Sequence, residues 1–151
     1  MKDMTFQEQY ALLENIQISG FGYELIRETL LPELLGKENA SILYWAGKSL
    51  ARKYPLETLE EMISFFEKAG WGTLTIVSEG KDELEFELTS PLIAARLSHK
   101  EDCTFQLEAG FLAQQIEQQK KRVTEAYEQQ KKRAKKVVFT VKWDKKDMIA
   151  E

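Results

Sequence analysis

The chain has 151 residues, 43% of them apolar and 30% charged, and a formal net charge of −4. That is the size and balance of one globular domain, too polar to live in a bilayer and too apolar to stay disordered. With one cysteine (Cys103) and one histidine (His99), an internal disulfide, a thiolate-built metal site and most histidine-based catalysis are excluded by arithmetic.

Met1 to Phe6 lacks the apolar run of a secretory signal, and a lone cysteine suits a reducing compartment, so a cytoplasmic protein is expected. Residues 1–20 read as a polar N-terminal arm that ends in a turn at Ser19-Gly20-Phe21-Gly22. Leu25, Ile26, Leu30 and Leu31 recur at helical spacing over 23–35, with a kink at Pro32 and a stop at Gly36. From Asn39 to Tyr54 the stripe Leu43, Ala46, Gly47, Leu50 and Tyr54 predicts a second helix, widened by Ile42 and Trp45. Gly47 inside a helix costs about 1 kcal/mol relative to alanine, which points to the close approach of another backbone. Pro55 is expected to open a third helix with Leu59, Met62, Ile63 and Phe66 buried.

At Trp71 the period changes to two. Strands are expected over 71–79 and 83–89, with Leu84, Phe86 and Leu88 on one face and Glu83, Glu85 and Glu87 on the other. Residues 90–99 are a connector or a short helix. Asp102 is placed to cap a helix over 103–119, apolar around so much of its circumference that it must be central. Residues 117–136 suit either an extension of that helix or, from Val123 and Thr124, a strand. Val137 to Trp143 is a strand, and 144–151 a C-terminal tail.

The segment Ile42-Leu43-Tyr44-Trp45-Ala46-Gly47-Lys48-Ser49-Leu50-Ala51-Arg52 resembles the signature of the YslB-like proteins of Gram-positive bacteria, a family without an assigned activity. Phe21-Gly22, Arg27, Leu30-Leu31-Pro32 and Leu35-Gly36 are similar to its N-terminal pattern. More distantly, the order of elements resembles the vinyl-reductase-like ligand-binding domain, a fold shared by the small subunits of the TRAPP vesicle-tethering complex. That resemblance aligns Phe105 with a motif cysteine, Gly110-Phe111-Leu112-Ala113 with a glycine segment and Glu125 with a strand glutamate. It implies that 122–130 is a strand. The cysteines that follow the strand glutamate in those domains are replaced by Glu128 and Val137. Where acylated TRAPP subunits carry their cysteine, this chain has Tyr54-Pro55-Leu56. Neither a cysteine-held metal nor that acylation is expected.

The fold expected is therefore α+β: one domain over 1–151, with a helical layer on a four-stranded antiparallel sheet, similar to the TRAPP small subunits. Trp45, Phe65, Phe66, Phe105, Phe111 and Tyr127 are either core or the lining of a pocket for a small hydrophobic ligand. Phe21, Leu25, Ile26, Leu30 and Leu31 carry more apolar surface than a short helix needs, which points to a homodimer interface. Residues 117–151 hold 11 basic and 6 acidic side chains against 10 and 19 in 1–116. The basic run Lys131-Lys132-Arg133, Lys135-Lys136 lacks the interleaved aromatics of a nucleic-acid platform. The functional expectation is a non-catalytic interaction or adaptor module, homodimeric, with no cofactor, metal, membrane insertion or nucleic-acid partner. A sensor or carrier of a small hydrophobic ligand is the alternative.

Overall fold

The computed structural model describes residues 4–99 and 102–148. Four antiparallel strands, β1 (Thr73–Glu79), β2 (Glu83–Thr89), β3 (Arg122–Lys131) and β4 (Lys136–Met148), form one sheet in the order β1-β2-β4-β3. The strand implied for 122–130 is present, and β4 joins the two hairpins by pairing with β2 from Glu83↔Lys142 to Leu88↔Val137. Alternation sorts its faces: Leu84, Phe86, Leu88, Val137, Phe139 and Val141 are buried, while Glu83 and Glu87 face outward and ion-pair with Lys142 and Lys136.

The helices are α1 (Phe6–Leu13), α2 (Gly20–Glu24), α3 (Leu31–Leu35), α4 (Asn39–Lys53), α5 (Leu59–Lys68), α6 (Pro91–His99) and α7 (Gln106–Lys120). Central α7 lies against β3 and β4 and is crossed by α4. It buries every residue from Glu108 to Ile116. The crossing rests on two glycines. A Cβ on Gly47 would sit 2.1 Å from the carbonyl oxygen of Leu107, and one on Gly110 would sit 2.0 Å from that of Tyr44. The approach suspected at Gly47 is therefore reciprocal, backbone against backbone.

Several boundaries differ from expectation, each for a local reason. The supposed arm holds α1, closed by a capping box: Glu8 N–H donates to Thr5 Oγ1 (3.1 Å) and Thr5 N–H to Glu8 Oε1 (3.0 Å). The supposed tail is strand through Met148, and Ile149–Glu151 lie outside the described residues. Pro55 precedes α5 rather than opening it, because Thr58 takes the cap by accepting from Glu61 N–H. Asp102 does not begin α7. The Glu128 carboxylate reaches across from β3 to accept Phe105 N–H (3.0 Å), and Thr104 Oγ1 accepts Gln106 N–H (3.1 Å). Leu25–Leu30, between α2 and α3, is π-helical. Its wider register ends just before Pro32, which has no N–H to give and whose ring would crowd the carbonyl four residues back.

Candidate interaction surface

Residues 20–35 are turned inside out. Arg27 and Glu28 are buried, at 3% and 8% exposure, while Phe21, Ile26 and Leu34 stand at 72%, 58% and 76%. Leu25 and Leu30 are exposed as well, and Leu31 is half-buried. An isolated amphipathic helix would choose the opposite face, since each leucine-sized side chain gains about 1.5–3 kcal/mol on burial.

What holds the charges in is a buried network. The Arg27 guanidinium meets Glu108 of α7 as a fork, Nη1–Oε2 2.9 Å and Nη2–Oε1 2.8 Å. Nη2 also donates to the Thr104 carbonyl and Nη1 to Tyr23 Oη. From α6, Arg96 makes a second fork to Glu24, Nε–Oε1 3.0 Å and Nη2–Oε2 2.6 Å, and lies 3.5 Å from Glu28. Burial works against the charge on Arg27, but Glu108, by proximity and hydrogen bonding, outweighs it and holds the guanidinium charged beyond arginine's ordinary range. Such pairs return little net stability once desolvation is counted, but losing one partner is severe. Their effect is orientational: the forks decide which side of 20–35 faces in.

Around the network the space is limited. A cavity of about 40 Å³ between Arg27, Asn39, Asp102, Cys103 and Thr104 has room for a water-sized molecule. Cys103 is buried there, its Sγ 3.8 Å from Gln130 Oε1. Burial, then the charge of Glu28, pushes its thiol pKa up, so the thiol and not the reactive thiolate is the form at neutral pH. His99 is exposed on α6 and borders an open groove of about 250 Å³ with Phe21, Leu25, Thr29, Ala95 and Arg96.

The six aromatics considered for a ligand pocket do not share one. Phe65, Phe66, Phe105 and Phe111 are core. Phe65 stacks on Phe111 at 4.7 Å, and Trp71 meets Phe66 and Phe111 edge-on at 5.0 and 5.2 Å. Trp45 and Tyr127 are exposed instead. In α4 the face toward α7 is Leu43, Gly47 and Ala51, with Trp45 and Ile42 turned away. In β3 alternation buries Ala126 and turns Tyr127 out. The two border a shallow groove of about 320 Å³ with Tyr44 and Glu125. There Tyr44 Oη donates to Glu125 (2.7 Å) and accepts Ala126 N–H (3.1 Å), and burial, reinforced by Glu125, raises its phenol pKa. Lys48 is buried beside them. Its Nζ lies 3.6 Å from Glu125 and 5.1 and 5.2 Å from the Tyr44 and Trp45 ring centres.

Two features escaped the sequence reading. A groove of about 300 Å³ runs under α1, between Phe6, Tyr10, Leu13, Ile16, Tyr54 and Phe65. Its only early sign was the Thr5-x-x-Glu8 capping pattern. The ion network was signalled only by Glu108 standing in an apolar helix and Arg27 among leucines. Among the described residues no group of side chains is arranged to hold a metal ion, and no helix is long and apolar enough to cross a membrane.

Comparison with known proteins agrees with the YslB-like resemblance and with the vinyl-reductase-like fold. Residues 20–142 match a family described as a protein of unknown function, DUF2507. The chain is 56% identical over 144 residues to "Uncharacterized protein YslB" of Bacillus subtilis (strain 168), across 95% of this chain and 97% of that protein. It is similar to the crystal structure of a vinyl-4-reductase family protein from Methanocaldococcus jannaschii, with a TM-score of 0.66 and 19% identity, across 95% of this chain and 98% of that one. At that identity the likeness carries the fold, and a fold sets no activity.

Proposed function

We propose that this chain, which belongs to the DUF2507 family, is a non-catalytic protein-interaction module that pairs with a second copy of itself through the outward face of residues 20–35. The observation that carries this reading is the inversion itself: apolar side chains stand exposed on a segment whose Arg27 and Glu28 are buried, with Arg27 forked to α7 and Glu24 forked to α6. Exposed contiguous apolar surface of this kind marks an interaction site, and twofold pairing is the commonest closed assembly. The protonated, buried Cys103 speaks against a nucleophilic role, and one unpaired cysteine favours the cytoplasm as the place of work. Sedimentation at micromolar concentration tests the proposal. The wild-type chain is expected as a dimer, and Leu30→Glu as a folded monomer. A monomeric wild type, or a Leu30→Glu chain that unfolds, returns the segment to its own core and ends the reading.

One observation favours a second role. The groove under α1 is walled by aromatic and aliphatic side chains and bordered by Lys68, which suits a small hydrophobic ligand. Native mass spectrometry of protein purified from cells is the test: a co-purified small molecule supports the ligand role, and the bare chain mass at every charge state counts against it.

A further inference from the structure

The exposed residues of the inverted segment fall into two rows. Ile26, Leu30 and Leu34 follow one another at a spacing of four and are all exposed, a ridge of the i±4n type. Phe21, Leu25 and Thr29 form the neighbouring row, and together with Ala95 and His99 of α6, also four apart, they wall the 250 Å³ groove. The groove floor is charged but satisfied, since Arg96 is forked to Glu24 and paired with Glu28. An apolar guest therefore leaves no buried charge unpaired there.

We propose that two copies join ridge into groove: Ile26–Leu30–Leu34 of each copy seats between the 21-25-29 row and α6 of the other. This rests on the self-association proposed above and says how it is built. Ridge and groove wall come from the same short segment, so one twofold axis makes the contact twice, as isologous pairing requires.

The surface on offer approaches, at its upper bound, the apolar share of a standard interface. A leucine-sized side chain carries roughly 60–120 Å² of apolar area on the transfer scale. At the exposures found, the ridge, Phe21, Leu25 and the adjacent Ile18 thus contribute roughly 220–450 Å². A standard interface takes about 800 Å² from each partner, about 60% of it apolar. The charges of the segment disfavour a lipid surface as occupant. Residues 20–35 hold Glu24, Arg27, Glu28 and Glu33 and no lysine, whereas membrane-surface helices carry a lysine- and arginine-rich polar face.

Complementation between two variants of the full chain tests the geometry. Leu34→Glu charges the ridge, and Ala95→Trp fills the groove; both positions are exposed, so neither change disturbs the core. Each variant alone is expected to weaken self-association at least tenfold in sedimentation. An equimolar mixture keeps one intact ridge-and-groove contact in each mixed pair, so a heterodimer is expected to form more tightly than either variant's homodimer. Ala95→Trp dimerising as tightly as wild type would remove α6 from the interface and overturn the inference, while the dimer reading stands. Two weakened variants that fail to rescue each other show that ridge and groove do not meet, with the same consequence. A wild-type monomer ends both readings together.

Discussion

Replacing Gly47 by alanine adds one methyl group where α4 meets α7, and the structure sets what it must do. The new Cβ would stand 2.1 Å from the Leu107 carbonyl oxygen and 2.8 Å from the Phe111 nitrogen. Both are helix backbone and cannot rotate aside. Restoring an ordinary contact of 3.4 Å separates the two helices locally by roughly 1.3 Å, and a gap of 0.5–1 Å already forfeits roughly a quarter to a half of each dispersion contact. Against this stands about 1 kcal/mol of gained helix propensity. With overpacking at about 1–3 kcal/mol, and more where backbone must move, the net loss is expected near 2–3 kcal/mol. For a domain of this size that lowers Tm by roughly 5–10 °C. Gly110→Ala is expected to behave alike, since its Cβ would meet the Tyr44 carbonyl. The double variant is the sharper measurement. Once the first methyl has parted the helices the second finds space, so the pair should fall short of additivity by about 1 kcal/mol or more. Urea and thermal unfolding followed by circular dichroism read all three, with exposed Ser49→Ala as the control. A Gly47→Ala chain as stable as wild type, or a strictly additive pair, would refute the close crossing.

Arg27→Met strands the buried Glu108 carboxylate and is expected to cost about 3–5 kcal/mol in urea unfolding, while Arg27→Met with Glu108→Leu recovers most of it. A double variant no more stable than the single one would show that the fork itself, and not the stranded charge, carries the effect. Cys103→Ser is expected to stay within about 1–2 kcal/mol of wild type at neutral pH. Because burial raises the folded-state thiol pKa above its ordinary value near 9.0, the protonated thiol favours the fold below that pH, and the contribution is lost as pH rises through the folded value. Wild type should therefore lose ground to Cys103→Ser above about pH 9, and rapid alkylation of Cys103 at pH 7 would contradict the assignment.

The sheet was legible because its signal is local. Alternation in Leu84 to Leu88 and in Val137 to Val141 fixes faces without knowledge of any partner, and in strands the inward face is the apolar one. The same rule says less in the helices. A stripe such as Leu25, Ile26, Leu30 and Leu31 says that one side is apolar, and its excess could be noticed, but its direction depends on Arg27 meeting Glu108, 81 residues on, and Glu28 meeting Arg96, 68 residues on. Trp45 failed similarly. It shares a helix with Leu43 and Gly47 but is turned away by the glycine crossing, which was half visible in Gly47 and not in Gly110. The aromatic pocket dissolved because four of its members found one another in the core. Packing between distant residues leaves no trace in the spacing of either.

The place of β4 in the sheet also governs how the protein is made. It is the last of the four described strands in sequence, yet it sits in the interior of the sheet, between β2 and β3. Until it leaves the ribosome, β2 has a partner on one side only and β3 has no partner in the sheet. The first hairpin and the helices can gather early, but the layer that α7 rests on closes only with residues 136–148. A nascent chain halted before residue 136 exposes two unpaired strand edges beside the apolar face of α7, the kind of intermediate that aggregates or is held by chaperones. Emergence of residues 136–148, more than any early folding event, is then the step that commits this domain to its native form.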